Sequence, residues 1–269
     1  MSVRTASNDQ RGSDQFQMMV VRRQDRALDD AIANDHIAIH FQPQIALATG
    51  RVVGVEALAR WEGVASADHL FERARRSGLI ERLSRFAQRK ALRIAGRWGP
   101  PLSDLRLSIN LVPEDLGREG YDDWLLHEID LAGFPPDRLT IEITETSLLA
   151  DRALAALRLT RLRDAGIQIA VDDFGTGYAS MDYLTSLPLD ALKIDRGLVV
   201  DLVAGKRDRI VVRAMIGLAR ELDLKVVAEG VETPEQLAIL AECGCDYYQG
   251  FLGAGPLDEQ QLADFVTAA

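Results

Sequence analysis

Eight short apolar segments alternate with helical patterns along this chain, and that alternation limits the folds open to it more than any other feature. Helical patterns such as residues 151–165 and 206–222 separate the segments. Strands that alternate with helices favour a parallel sheet, and eight such units are typical of a (β/α)8 barrel. We predict strands at residues 37–45, 51–57, 105–111, 138–143, 167–172, 191–194, 225–229 and 246–250.

The connection between the first two predicted strands is unusually short. It consists of residues 46–50, whereas a crossover between parallel strands takes on the order of a dozen residues or more. We therefore expect the first strand to run antiparallel to the rest. The predicted fold class is α/β, a modified TIM (β/α)8 barrel.

The chain is predicted to contain a leader and one large domain. The first sixteen residues are polar and lack periodicity, and we expect residues 1–24 to be a disordered leader. The folded domain is predicted to span residues 25–269, beginning near Asp25. The leader is too short for a further sensory, cyclase or DNA-binding domain. Regulation is therefore expected from the first helix, from oligomerisation or from a protein partner.

The charge balance excludes several classes of partner. With 31 basic and 41 acidic residues the formal net charge is -10, which argues against broad binding to DNA, RNA or anionic membrane. No apolar stretch approaches the roughly eighteen residues of a membrane-spanning helix, and the amino terminus lacks the order of a signal peptide. A cytoplasmic protein with no membrane insertion is predicted.

Acidic and amide residues recur near the far ends of the predicted strands. Because successive side chains of a strand point to opposite faces, Glu142 takes the opposite side from Ile141 and Ile143 and faces inward. Inward carboxylates on adjacent strands repel one another unless cations neutralise them. A divalent metal site is therefore predicted on the barrel rim, among Glu56, Asn110, Glu142, Asp172, Asp173, Lys193, Glu229 and Gln249.

Asp172 and Asp173 are adjacent, so a regular strand would point them to opposite faces. Both can face one site only if the chain turns there. The glycines in the segment that follows, Phe174-Gly175-Thr176-Gly177, are suited to such a turn.

These residues resemble a known family, the bacterial EAL-domain phosphodiesterases that hydrolyse cyclic di-GMP. The resemblance covers about residues 27–266 in unbroken order. It implies hydrolysis of one phosphodiester bond of cyclic di-GMP to linear pGpG, with two Mg²⁺ or Mn²⁺ ions. The motifs that carry it are Phe41-Gln42-Pro43, Glu56-Ala57-Leu58-Ala59-Arg60-Trp61, Ser108-Ile109-Asn110-Leu111, Glu142-Ile143-Thr144-Glu145, Asp172-Asp173-Phe174-Gly175-Thr176-Gly177-Tyr178, Lys193-Ile194-Asp195, Ala228-Glu229-Gly230-Val231-Glu232 and Gln249-Gly250-Phe251.

The resemblance also assigns a role to each matching residue. Two metal ions would share Asp172 as a bridging ligand. Glu145 would anchor the loop that begins at Asp173, and family members are often homodimers coupled to this loop. The remaining assignments are the first metal to Glu56, Asn110, Glu142 and Asp172, the second to Asp172, Asp173 and Glu229, catalysis to Lys193, Glu229 and Glu56, and substrate binding to Gln42, Leu58, Arg60 and Gln249.

Two other functions stay open at this point, a receptor that binds cyclic di-GMP without hydrolysing it and a protein-interaction scaffold. The chain departs from the family pattern in residues 62–67, at Arg75, where a glutamate is common, and in residues 253–255. These departures concern loops near the guanine-binding rim. They bear on substrate affinity more than on metal chemistry.

Overall fold

The computed structural model describes residues 25–144, 152–175, 184 and 186–268. Eight strands close into a barrel in chain order, as the alternation of strand and helix predicted. Seven of them are joined by parallel pairing from β2 to β8. The strands are β1 Ala38–Ala46, β2 Val52–Arg60, β3 Arg106–Leu111, β4 Leu139–Thr144, β5 Gln168–Phe174, β6 Ala191–Ile194, β7 Lys225–Ala228 and β8 Tyr247–Tyr248.

Strand β1 runs antiparallel to both of its neighbours, β2 and β8, which confirms the prediction made from the short connection. Three predicted strand ends were wrong by two or three residues, and one of them is the end of β5, which continues to Phe174 rather than stopping at residue 172. Strand β2 continues to Arg60, because its last residues pair with the start of β1, where Ala38 lies opposite Arg60. Strand β8 contains only Tyr247 and Tyr248, so Gln249 follows the strand rather than lying within it.

The helices surround the barrel, and several begin with a side chain that caps free backbone N–H groups. Asp25 accepts a hydrogen bond from the backbone N–H of Leu28 at the start of the first helix. Thr233 and Gln236 form a reciprocal capping box. The helices are α1 Arg26–Ala33, α2 Ala67–Ser77, α3 Ile80–Ala95, α4 Pro113–Gly117, α5 Tyr121–Ala132, α6 Arg152–Asp164, α7 Arg196–Val200, α8 Lys206–Glu221, α9 Pro234–Cys243 and α10 Glu259–Ala268.

The hydrophobic core lies between the outer face of the strands and the helices. In β4, Leu139, Ile141 and Ile143 are fully buried in this layer, whereas Glu142, of the opposite parity, contacts Lys193 of β6. The predicted alternation is therefore confirmed. Apolar packing on the outside holds the strands in register and leaves the inside available for polar groups.

The predicted leader, residues 1–24, lies outside the described residues. Within the part of the chain that is described, no helix is both long and apolar enough to cross a membrane. The cytoplasmic location stays a prediction.

Candidate metal centre

One lysine lies at the centre of the carboxylates that the strands direct inward. Lys193, near the end of β6, has a side chain that is 1% exposed. Its Nζ lies 2.6 Å from an oxygen of Glu142, 2.6 Å from Glu229, 3.2 Å from Asp172 and 3.5 Å from Glu56. Four strands of the barrel thus bring their carboxylates to a single positive charge.

The charges in this cluster do not balance. Burial alone would lower the pKa of Lys193, but the surrounding carboxylates raise it well above its usual range. Burial raises the pKa of Glu142 to about 8, although Lys193 opposes that rise. Four carboxylates against one ammonium leave an excess of three negative charges when all are ionised. The cluster therefore favours a further cation over the anion that a phosphate presents.

The backbone turns at Asp173, as the adjacent pair of aspartates required. Asp173 has a positive φ of 56°, and the pairing of β5 with β6 shifts register between Val171 and Phe174. Asp173 lies two residues before the first of the glycines that were expected to provide the turn; Gly175 also has a positive φ, of 104°. The backbone N–H of Asp173 donates to the carboxylate of Asp172 at 3.0 Å.

The bulge brings three carboxylates together in a way that suits a metal ion. Oxygens of Asp172, Asp173 and Glu229 all lie within 4.8 Å of one another. Burial raises the pKa of Asp173 to about 6, and the negative charges of Asp172 and Asp195 add to that rise. This trio is the set that the resemblance assigned to the second metal.

The predicted ligands Glu56 and Asn110 are in direct contact. The side-chain amide of Asn110 donates to Glu56 Oε1 at 2.6 Å, and Gln249 donates to Glu56 Oε2 at 2.7 Å. Because the amide nitrogen of Asn110 faces Glu56, its amide oxygen is the atom left for a cation. The Oε1 atom of Gln249 is buried without a hydrogen-bond partner among the described residues. An acceptor oxygen next to the carboxylates is therefore available to a cation or a donor.

The residues predicted to bind substrate lie around the same opening. A cavity of about 920 Å³ extends outward from the carboxylates and is lined by Gln42, Leu58, Arg60 and Gln249. Gln42 donates to the backbone carbonyl of Ala254 and accepts a hydrogen bond from Gln249. Burial lowers the pKa of Arg60 from its usual value. Arg60 supplies positive charge to a cavity whose floor is acidic.

Sequence reasoning missed a second polar layer beneath the carboxylates. Gln44 of β1 lies 3.5 Å from both Glu142 and Ser108 of β3, and Gln44 and Ser108 are buried. Strand parity contained the signal, because Gln44 and Ser108 lie two residues from Gln42 and Asn110 and share their faces. The cavity lining also includes Asp195, which follows Lys193 in the quoted motif but received no role.

The donor set fits hard divalent cations. The polar residues that line the cavity among the described residues offer carboxylate, amide and hydroxyl oxygens, with no cysteine or histidine among them. Oxygen ligands suit Mg²⁺ and Mn²⁺, whereas thiolate and imidazole suit zinc. Glu145, predicted to anchor the loop, lies outside the described residues, as does most of that loop. Its role stays a prediction.

The sequence model of the EAL domain matches residues 25–256, most of the chain. The chain belongs to the EAL domain family. It is 39% identical over 251 residues to the cyclic di-GMP phosphodiesterase NbdA of Pseudomonas aeruginosa, an alignment that covers 90% of this chain and 31% of NbdA. It is also 33% identical to the cyclic di-GMP phosphodiesterase RocR of Pseudomonas aeruginosa, covering 88% of this chain and 61% of RocR.

Solved EAL structures have the same architecture. The PaMucR phosphodiesterase in its c-di-GMP complex superimposes with a TM-score of 0.83 at 34% identity, covering 88% of this chain and 98% of that one. The BlrP1 structure of Klebsiella pneumoniae, a calcium and cyclic di-GMP complex, gives a TM-score of 0.75 at 32% identity, covering 82% and 56%. The modified barrel of this EAL domain is therefore a fold that these relatives share.

Proposed function

We propose that this EAL domain hydrolyses one phosphodiester bond of cyclic di-GMP and releases linear pGpG. The observation that carries the proposal is the Lys193-centred group of carboxylates at the floor of an open cavity. Names of relatives in which the same domain is found support the substrate. The chain spans about a third of NbdA, so the activity is proposed for this domain alone.

Two Mg²⁺ or Mn²⁺ ions are proposed as cofactors, with ligands divided as the resemblance implies. Such ions, when bound, stabilise the negative charge of attacking and leaving oxygens in a phosphoryl displacement. The support for two sites is that the acidic groups fall into two overlapping sets that share Asp172. The ligand sets are Glu56, Asn110, Glu142 and Asp172 for one ion, and Asp172, Asp173 and Glu229 for the other.

Lys193 is proposed to act through its charge. Because its pKa is raised well above the usual range, it stays protonated and can donate hydrogen bonds to an attacking water or to a phosphoryl oxygen. This favours orientation and charge stabilisation over proton abstraction by Lys193. Glu229, whose Oε1 lies 2.6 Å from Nζ, is the proposed acceptor for the proton of the water, with Glu56 and Gln249 holding the same cluster.

The substrate is proposed to enter through the cavity mouth, with its reacting phosphate above the carboxylates. Arg60 can donate two hydrogen bonds to phosphate oxygens from one guanidinium group. Leu58 and Gln42 line the same wall. Since Gln42 and Gln249 already bond one another, their part in substrate binding requires those bonds to be shared or exchanged.

The test is chromatography of nucleotide products after incubation of the purified protein with cyclic di-GMP. Parallel reactions contain Mg²⁺, Mn²⁺, Ca²⁺ or a chelator. Metal-dependent pGpG is the expected result, and no product in the chelator. Tight binding of intact cyclic di-GMP under every condition would instead identify a receptor, and neither binding nor hydrolysis would point to a scaffold.

A homodimer is proposed as the assembly. Four apolar side chains on α7, α8 and their connection are exposed, namely Val200, Val203, Ile210 and Val211. A second copy that covered them would remove them from water. Sedimentation over a dilution series is expected to show a dimer that dissociates on replacing Ile210 with aspartate. A monomer at all concentrations would overturn this part of the proposal.

A further inference from the structure

A buried glutamine outside the barrel holds the strand end that carries Asn110. Gln88 lies on α3 and is only 2% exposed. Its Nε2 donates to the backbone carbonyl oxygen of Asn110 at 3.0 Å. A helix that surrounds the barrel therefore reaches the backbone of a proposed metal ligand.

The hydrogen bonds around Gln88 form a chain with a single consistent direction. The Tyr121 hydroxyl donates to Gln88 Oε1 at 3.0 Å, which leaves the amide nitrogen of Gln88 as the donor. That nitrogen donates to Asn110 and, at 3.0 Å, to Ser84 Oγ, and it also lies 3.3 Å from Asp115 Oδ2. The Ser84 hydroxyl in turn donates to Asp115 at 2.5 Å. The amide of Gln88 cannot flip without placing an oxygen against the carbonyl of Asn110.

The chain of bonds is fixed at both ends by groups that do not reach solvent. Tyr121 and Asp115 are fully buried. Asp115 is further fixed by Arg118, whose guanidinium lies 3.1 Å from its carboxylate. Helices α3, α4 and α5 therefore converge through polar contacts on one point of β3. Apolar packing alone would stabilise these helices, but it would not fix the position of the β3 backbone at Asn110.

Gln88 affects the proposed metal centre through one residue, Asn110. Asn110 is the last inward-facing residue of β3, and its side chain donates to Glu56. A shift of its backbone carbonyl would move the amide oxygen that faces the proposed first metal. Outer residues that orient ligands in this way typically affect metal affinity by about 10-fold to 100-fold.

We propose that Gln88 is a positioning residue that holds Asn110 in the orientation required to bind a divalent cation. This inference rests on the proposed function, since it concerns the proposed ligand set. Gln88 is among the residues that line the cavity, but its amide nitrogen bonds Asn110, Ser84 and Asp115 rather than the carboxylates around Lys193. It therefore acts through Asn110.

The test compares direct Mn²⁺ binding by the wild type, Gln88→Leu and Asn110→Ala. Leucine keeps most of the volume of glutamine and removes every hydrogen bond. Titration followed by the electron paramagnetic resonance signal of free Mn²⁺ gives a dissociation constant without turnover. Gln88→Leu is expected to weaken Mn²⁺ binding about 10-fold, and to raise the metal concentration for half-maximal hydrolysis similarly while KM for cyclic di-GMP at saturating metal stays unchanged.

Ser84→Ala is the matched control. It removes the bonds that the Ser84 hydroxyl makes with Asp115 and with Gln88 Nε2 but leaves the Gln88 contact with Asn110. A merely structural role predicts a lower melting temperature and unchanged Mn²⁺ affinity in both variants. The positioning role predicts that only Gln88→Leu loses affinity.

Tyr121→Phe keeps the inference testable if Gln88→Leu does not fold. It removes only the hydroxyl that fixes the amide of Gln88, and about a threefold loss of Mn²⁺ affinity is expected, below the loss in Gln88→Leu. A wild type that binds no Mn²⁺ would overturn the proposed function together with this inference. A wild type that binds Mn²⁺, with Gln88 and Tyr121 variants that bind equally well, would overturn this inference alone.

Discussion

The carboxylates at the two ends of the barrel differ in how they are paired with hydrogen-bond donors and cations. At the end where β6 and β8 begin, Asp190 accepts the backbone N–H of Ile169 and pairs with Arg163, and Asp246 accepts the backbone N–H of Val226 and pairs with a lysine. Each of these carboxylates has a backbone donor and a cation of its own. At the other end, four carboxylates share one lysine.

The difference separates stability from function within one fold. Carboxylates that each have a backbone donor and a cation join neighbouring strands, and their negative charge is balanced. Carboxylates in excess over their donors repel one another and favour a cation that the chain does not itself provide. In barrels of this class the chemistry lies at the end where the parallel strands finish, and the other end contributes stability.

The largest effect is expected from Glu56→Ala, at the crowded end. Glu56 is a proposed metal ligand and contacts Asn110, Gln249 and Lys193. Its loss should reduce hydrolysis by about a thousandfold or more. The melting temperature should change little, because the variant has one carboxylate fewer among like charges. Product chromatography and thermal unfolding measure the two quantities. Normal turnover by this variant would place the metal centre elsewhere.

Lys193→Ala tests the other half of the same cluster. Removal of the ammonium should lower kcat by about a hundredfold while the affinity for cyclic di-GMP changes much less, since Lys193 is proposed to act on the reacting groups. The folded variant should also be more stable with Mg²⁺ than without it, because its four carboxylates lack the lysine cation. A rise in KM with kcat intact would show that Lys193 only binds substrate.

Asp190→Ala makes the complementary change at the opposite end. The buried N–H of Ile169 loses its acceptor, and we expect a loss of about 2 kcal/mol in the free energy of unfolding. Values of kcat and KM for the folded enzyme should stay the same. Arg163→Ala is the control, because it removes only the half-exposed cation and should cost less than about 1 kcal/mol. A catalytic defect in Asp190→Ala would break the separation between the two ends.

Arg60→Ala removes a cation from the crowded end that belongs to the cavity wall rather than to the carboxylate cluster. KM for cyclic di-GMP should rise about tenfold, with kcat little changed, because a guanidinium bonded to phosphate contributes mainly to binding. Steady-state kinetics give both constants, and Arg163→Ala serves again as the distant arginine. An unchanged KM would remove Arg60 from the proposed phosphate clamp.

The smallest expected effect is a pH dependence of stability in the metal-free protein. The pKa values of Glu142, about 8, and Asp173, about 6, are raised by burial. Raised acid pKa values stabilise the fold fully below about pH 4, and that stabilisation is lost as the pH rises through 6 and 8. In chelator, the melting temperature should fall by a few degrees between about pH 5 and about pH 9.

Glu142→Gln is the control for that pH series. It should flatten the upper part of the curve and leave the part near pH 6. A melting temperature that rises over the same interval in the wild type would contradict the assignment of raised pKa values to this end of the barrel.

Much of this arrangement could be predicted from the sequence because its causes are local. The period of two along β4 placed Glu142 inside, and a five-residue connection required β1 to be antiparallel. The simultaneous contact of the Lys193 ammonium group with four carboxylates could not be predicted, since it depends on how strands far apart in sequence are aligned. The same holds for Gln44, which lies 3.5 Å from both Ser108 and Glu142 on two other strands.

The parts that sequence reasoning placed wrongly also have physical causes. The end of β2 was predicted at residue 57, but pairing with β1 continues it to Arg60. Intrinsic strand patterns do not contain the partner's length. The bulge at Asp173 was expected at the following glycines; an aspartate adopts the left-handed conformation more readily than most residues with a side chain, and its own backbone N–H bonds to Asp172 there.

The seam between β1 and β8 gives the order in which a ribosome can complete this protein. Strand β1 pairs with β2 across a short turn, whereas its pairing with β8 joins Ile45 with Tyr248 and Ala46 with Tyr247. Tyr248 is followed directly by Gln249, which bonds Glu56. A nascent chain that has emerged through β7 therefore holds most of the acidic groups without a closed ring around them. Translation must pass β8 and Gln249 before the mouth of the barrel can assemble.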